Sequence, residues 1–226
     1  MNSDVTAVVV AAGSGVRLGG TVPKALRTIA GKALVRHAVD NLIAGGCSRV
    51  IVMIADSERQ AFEEALQIAA PGPGVELAVG GEQRQDSVSN GLALVDTDFV
   101  LVHDAARPLV PSSLVAEIIS QLRSGSDCVI PVLPVVDSIR EVGADGRSSV
   151  IDRGRLRAVQ TPQGFRTDVL VAAHRRVSEL GVEVTDDAAA VETLGVEVQL
   201  IPGSEMALKV TRPIDLVIAE QLLKES

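Results

Sequence analysis

A loop of small residues follows the first apolar run of the chain: Ala11-Ala12-Gly13-Ser14-Gly15-Val16-Arg17-Leu18-Gly19-Gly20-Thr21-Val22-Pro23-Lys24. A dinucleotide fingerprint needs glycine at its first, third and sixth positions, and a P-loop needs Lys and Ser or Thr directly after its last glycine. Gly13 and Gly15 meet the first spacing, but Leu18 takes the sixth position, and Thr21 follows Gly20, so both motifs fail. What remains is a run of backbone N–H groups that phosphate oxygens can approach closely. Arg17 and Lys24 add two cations that a purely structural turn does not need; the competing reading is a mobile loop with surface charges. Asp104 closes another apolar run, where its carboxylate could hold a divalent cation beside phosphates or cap the following turn. Its neighbour His103 points to the opposite face of a strand, so the two do not share an ion, and His103 reads as a structural hydrogen-bonding group. No Ser-His-Asp or Cys-His constellation stands out. His37 and His174 lie in helical patterns where only surface roles are expected.

These residues must be positioned by the elements around them. Apolar runs at residues 5–10, 50–55, 75–79, 99–102, 128–132, 156–159 and 196–201 read as strands. Most lack polar alternation, which implies cover on both faces. Helical spacing runs from Leu34 to Ile43 and stops at Gly45-Gly46. Ser57-Glu58-Arg59-Gln60 resembles a capping box opening the next helix, and further helices are expected at 88–94, 112–122, 168–180, 187–194 and 213–222. Strands alternating with helices predict an α/β fold with a doubly wound, mostly parallel sheet. Ligands in such sheets sit beyond the carboxyl ends of the strands, here after Val10, Val79 and Val102 and near Leu208–Val210. Residues 135–155 break the rhythm. They are polar, with two flanks (137–142 and 149–153) that can pair as a hairpin around Asp145-Gly146-Arg147, and they read as an arm projecting from a single domain spanning 1–226.

Composition narrows the chemistry. The 226 residues carry 21 Lys and Arg against 29 Asp and Glu, a net charge of −8, which argues against duplex nucleic acid and anionic membrane surfaces as partners. Trp and Tyr are absent and only Phe62, Phe99 and Phe165 are aromatic, which argues against stacking platforms for single strands as well. Cys47 and Cys128 are the only cysteines; with no CxxC, neither a zinc site nor a disulfide framework is expected, and both read as small core residues. No apolar run reaches the roughly 18 residues of a spanning helix, and the amino terminus has no basic n-region. A cytoplasmic protein is expected.

The order of the motifs also carries a resemblance. Ala-Ala-Gly-x-Gly-x-Arg followed by Pro-Lys resembles the signature loop of nucleotidyltransferases that join a nucleotide to a sugar or alcohol phosphate. Gly80-Gly81-Glu82-Gln83-Arg84-Gln85-Asp86-Ser87, His103-Asp104-Ala105-Ala106-Arg107-Pro108, Gln160-Thr161-Pro162-Gln163, Thr185-Asp186 and Lys209-Val210-Thr211-Arg212-Pro213 follow in the order of the 2-C-methyl-D-erythritol 4-phosphate cytidylyltransferases, over essentially the whole chain. Glu82 stands where Asp is common, Ala25 where Gln often follows Pro-Lys, Ser138 where Thr is usual and Ala207 where Asn often precedes the Lys segment.

The resemblance implies a nucleotide-diphospho-sugar-transferase-like Rossmann fold and attack of methylerythritol phosphate on the α-phosphorus of CTP. It implies Arg17, Lys24, Arg153 and Lys209 as catalytic, and Ala11, Ala12, Gly13, Gly15, Gly81, Glu82, Arg84 and Ser87 as nucleotide-binding. Arg107, Ser138, Thr161 and Thr185 fall to the polyol phosphate, and Asp104 to magnesium. Because Ser138 and Arg153 lie on the arm, a homodimer is expected in which each arm completes the partner's site. The alternatives are a ribitol-5-phosphate cytidylyltransferase, a hexose-1-phosphate nucleotidyltransferase, which usually has a longer chain, and a non-catalytic nucleotide-sensing module.

Overall fold

The computed structural model describes residues 5–13, 22–67 and 74–225. Gly15 and Arg17, expected at the nucleotide, lie outside the described residues. At the centre is an eight-stranded sheet. Strand β1 (Val5–Val10) lies between β6 (Phe99–Asp104) and β4 (Arg49–Ile54), and β4 pairs outward with β5 (Val75–Val79), all parallel. On the far side of β6 comes β11 (Gln163–Arg166), antiparallel to β6 and to β7 (Cys128–Pro134). Strand β10 (Arg157–Val159) also pairs antiparallel with β7, and β12 (Gln199–Pro202) pairs parallel with it. The partners Arg157↔Pro134 and Val159↔Val132, then Gly164↔Val129 and Phe165↔Cys128, show β10 and β11 following one another down β7. A cis Thr161–Pro162 bond lies between them.

Alternation along β1 divides the core. Val5, Ala7 and Val9 face α1 (Leu34–Ala44), α2 (Arg59–Leu66) and α4 (Ser112–Arg123), through Val35, Val39, Phe62, Val115 and Ile118. Val8, with Ile51 and Met53, faces α3 (Arg84–Leu92), α5 (Thr167–Leu180) and α6 (Asp187–Glu192), through Val88, Leu170, Ala173 and Ala190. The sheet is therefore mostly parallel and covered by helices on both faces, as expected. A third cluster, with Ile29, Leu34, Leu109, Val210 and Ala219, seats α7 (Pro213–Glu225) against the small hairpin of β2 (Thr28–Ile29) and β3 (Lys32–Ala33). The arm is a hairpin of β8 (Ile139–Val142) and β9 (Ser148–Ile151), with Val136, Val142 and Val150 exposed by 77, 67 and 71%.

Three local expectations need correction. The proposed capping box at Ser57–Gln60 does not form: a 3-10 turn over Asp56–Glu58 precedes α2, whose N-cap Glu58 makes no side-chain cap bond. The reciprocal box is instead at Gln83 and Asp86, so α3 begins at Arg84 rather than 88. Strand β11 and the β2–β3 hairpin were not anticipated. Gln163-Gly164-Phe165-Arg166 holds one large apolar side chain and shows no strand periodicity. It is extended because strands on both sides supply its hydrogen bonds.

Gly164 permits that insertion, since a Cβ there would come within 2.4 Å of Ile118 Cγ2 and 3.0 Å of Leu101 Cδ2. Gly164→Ala should therefore cost about 1–3 kcal/mol by overpacking, seen in urea unfolding followed by far-UV circular dichroism. An unchanged midpoint would mean that α4 moves freely over β11.

Candidate active site

The carboxyl ends of the strands converge on two adjoining regions. In the first, β1 ends at Ala11-Ala12-Gly13 and β5 at the Gly80-Gly81 turn. A Cβ on Gly80 would lie 2.9 Å from Ala12 Cβ, so glycine there lets the turn close against the first loop, and one on Gly81 would lie only 2.2 Å from Asp86 Cβ, so glycine there lets the turn fold back onto the start of α3. The Ala11 amide is committed to Met53 O at 2.9 Å; Ala12 and Gly13 follow at the open end. Ser87 is buried, and its hydroxyl accepts the Gly81 N–H at 3.0 Å and reaches Gln83 O at 3.1 Å. In this structure Ser87 shapes the turn, while Glu82 beside it is exposed. Lys24 opens a 3-10 turn, Lys24–Leu26, on the carboxyl side of the glycine-rich loop.

The second region is a cavity of about 300 Å3 lined by Arg84, Asp104, Arg107, Val159, Gln160, Thr161, Gln163, Thr185, Asp186 and Lys209. Asp104 ends β6 at its floor. Its Oδ2 lies 2.6 Å from Lys209 Nζ and its Oδ1 3.2 Å from Arg84 Nε. Burial alone would raise this carboxyl, but Arg84, Lys209 and Arg107 outweigh it and hold Asp104 well below the usual carboxylate range. Arg84 also lies 2.8 Å from Asp187 Oδ2. Burial would lower its affinity for a proton, but Asp187 and Asp104 more than reverse that, so it stays charged.

Backbone placement comes from uncharged side chains. His103 is fully buried, with Nε2 3.1 Å from Arg107 O and Nδ1 3.1 Å from Thr161 Oγ1. A carbonyl only accepts, so Nε2 carries the proton; Nδ1 then accepts from the Thr161 hydroxyl, whose oxygen accepts the Asp104 N–H at 3.0 Å. This fills the structural part expected of His103. The proton of Thr161, expected to donate to the acceptor substrate, is spent on His103, and Thr161 holds Asp104 instead. Gln160 clamps the lysine-bearing loop, donating to Ser204 O at 2.8 Å and accepting Ser204 N–H at 3.0 Å. Gln163 does the same for the Thr185 segment, donating to Asp186 Oδ2 at 2.9 Å and accepting Ala188 N–H at 3.1 Å. The guanidinium of Arg107 reaches Ala207 O at 2.7 Å and Val159 O at 3.1 Å, and so also ties this loop to β10.

The cavity thus unites Arg84, Asp104, Arg107, Thr161, Thr185 and Lys209. Ser138 and Arg153 do not line it: both are exposed on the arm, where Arg153 donates to Val136 O. His174, expected at the surface, is buried and lies 3.0 Å from Asp187 Oδ1. Among the described residues no group of three or more His, Cys, Asp or Glu is placed to hold a metal. The roles of Gln160, Gln163, Asp187 and His174 escaped sequence reasoning because their partners lie 13 to 44 residues away.

Known proteins match this arrangement over nearly its full length. The profile of the family described as IspD, 2-C-methyl-D-erythritol 4-phosphate cytidylyltransferase, matches residues 5–225. The chain is 46% identical to the 2-C-methyl-D-erythritol 4-phosphate cytidylyltransferase of Nocardia farcinica, covering 98% of this chain and 95% of that one. It is 47% identical to the Frankia casuarinae protein of the same description, covering 97 and 81%. The crystal structure of the Thermus thermophilus protein so described superimposes with a TM-score of 0.81 at 34% identity, covering 98% of this chain and 99% of that one.

Burial lowers the His103 pKa to about 4, which makes stability depend on pH. In the unfolded chain this imidazole binds a proton below about 6.5, while in the folded chain it stays neutral down to about 4. Stability should fall as pH drops through that window, by about 3 kcal/mol in all. Asp104 extends the loss below about pH 4, where its unfolded carboxyl takes up a proton that the folded one refuses. Urea unfolding from pH 7.5 to 4.5 should show this slope, and His103→Asn should flatten it. An identical slope in the variant would assign it to other groups.

Proposed function

The chain belongs to the 2-C-methyl-D-erythritol 4-phosphate cytidylyltransferase family, and from that premise we propose how its side chains carry the reaction. The enzyme joins CTP and 2-C-methyl-D-erythritol 4-phosphate, giving 4-diphosphocytidyl-2-C-methyl-D-erythritol and pyrophosphate in non-mevalonate isoprenoid synthesis. The nucleophile is a phosphate oxygen whose second pKa is about 6, already ionised at neutral pH, so no general base is needed. The site must neutralise converging anions and align the attacking oxygen opposite the departing pyrophosphate.

The observation that carries the residue assignment is the Asp104 carboxylate between Arg84 and Lys209 at the floor of a cavity shared with Arg107 and Thr185. Lys209 holds the attacking phosphate, with Thr185 as a hydroxyl donor. Arg107 and Thr161 support the loop and the carboxylate. Lys24 and Arg17 hold the triphosphate and take up the negative charge that grows on the α-phosphoryl oxygens, a role suited to fixed cations in a partly dry site. Ala12, Gly13 and Gly15 offer backbone contacts to the nucleotide, and Gly81, Glu82 and Ser87 form the cytosine side.

Magnesium fits the donor set. Asp104 remains ionised, and each oxygen, with one cation beside it, keeps lone-pair capacity. Magnesium characteristically takes one or two carboxylates and completes its shell with substrate phosphates and water. Bound there, it would neutralise triphosphate charge. Pyrophosphate release from CTP should require methylerythritol phosphate, not ribitol 5-phosphate, and should stop on chelation. Asp104→Asn should raise the magnesium concentration required; an unchanged titration would move the ligand elsewhere.

The arm supports a homodimer. Its exposed Val136, Val142 and Val150 are apolar surface that a two-fold partner would cover, and Ser138 and Arg153 do not line the cavity of their own chain. Each arm then delivers Arg153 and Ser138 to the acceptor phosphate of its partner. We place the enzyme in the cytoplasm, in keeping with a nucleoside triphosphate substrate; no described helix is long and apolar enough to cross a membrane. Lys24→Ala and Arg153→Ala homodimers should each be nearly inactive. Mixed and allowed to exchange, they should regain about a quarter of wild-type sites, because half the dimers are mixed and each holds one intact site. No recovery would mean that Arg153 serves its own subunit.

A further inference from the structure

Behind the cavity, a line of polar groups runs from exposed Lys209 through Asp104, Arg84 and the buried pair Asp187 and His174 to Ser89, which is exposed on α3. Side-chain exposure is 41% at Lys209, 31% at Arg84 and 11% at Asp104, but only 2% at Asp187 and 4% at His174. We propose that Asp187 is a positioning residue of the transfer, acting through Arg84 on Asp104, with His174 and Ser89 fixing Asp187 in turn. This rests on the cytidylyltransferase reading of the site.

Arg84 is the first residue of α3, where the positive end of the helix dipole disfavours a cation. Two carboxylates compensate: Asp104 at its Nε, and Asp187 at its Nη1, 2.8 Å away. Of the two carboxylates, Asp187 does more than Asp104 to favour the charged guanidinium. Asp187 opens α6, where the dipole favours an anion. Its other oxygen lies 3.0 Å from His174 Nε2, and His174 Nδ1 lies 3.0 Å from Ser89 Oγ on α3 itself. The line closes on the helix that carries Arg84, so the guanidinium is held from behind as well as from the cavity. A nearly fully buried carboxylate is a poor stabilising device compared with apolar packing. Here it keeps Arg84 from folding wholly onto Asp104, which must remain available to Lys209.

Asp187→Asn preserves volume but leaves one acceptor oxygen, enough for His174 or Arg84 and not both. It should lower kcat/KM for methylerythritol phosphate about ten- to hundredfold, the scale of a lost hydrogen bond to a charged group, while KM for CTP stays unchanged. His174→Gln keeps an N–H donor for Asp187 and should retain wild-type parameters. His174→Leu keeps bulk without the donor and should share the Asp187→Asn defect, with urea unfolding confirming that each variant is folded. Nitrogen-15 NMR of the Arg84 Nε–H gives a readout without turnover: slow exchange in wild type and His174→Gln, fast in Asp187→Asn and His174→Leu. Equal loss in the two His174 variants, unchanged parameters in Asp187→Asn, or equal exchange in all four proteins would overturn the proposal. Absence of turnover in the wild type would instead overturn the functional reading, and the exchange measurement would still decide the role of Asp187.

Discussion

A phosphate-transfer site needs several cations close together before its anionic substrates arrive, and like charges in a cavity repel. In this chain the ionised carboxylate of Asp104 relieves that repulsion. It lies between Arg84 and Lys209, 3.2 and 2.6 Å away, with Arg107 lining the same cavity. These cations are thereby held close together around one carboxylate. Moving Asp104 would move the whole array.

Its placement depends on neutral groups. Thr161 and His103 pin the backbone at Asp104, and Gln160 and Gln163 grip the loops bearing Lys209 and Thr185. All are buried and hydrogen-bonded, which avoids the penalty of unpaired polar groups. Neutral clamps also leave the potential of the cavity to the few charged residues that face it. Four consecutive residues, Gln160 to Gln163, therefore join three segments that are distant in sequence.

Much of this was legible beforehand, for local reasons. Two-sided apolar runs announced the parallel strands, and the carboxyl ends of those strands, after Val10, Val79 and Val102, announced where ligands sit. The position of Asp104 followed from the end of its strand. What escaped was long-range. Strand β11 owes its extension to β6 and β7, not to its own residues. His174 looked superficial although its spacing from Leu170, Ala173 and Val177 places it on the buried face of its helix, where it meets Asp187. The capping box was misplaced because Ser57 lies within a 3-10 turn, whereas Gln83 and Asp86 form the reciprocal pair with a less familiar cap residue.

The insertion of β11 also sets an order of assembly. Strands β6 and β7 do not pair with each other; each meets its neighbour through residues 163–166. As the chain leaves the ribosome, the segments up to β6 can complete β5–β4–β1–β6, but β6 then ends in an unsatisfied edge. Such an edge is open to pairing with other chains until the late segment slots in. The vulnerable interval in the life of this protein is therefore its synthesis, between the emergence of β6 and that of Phe165.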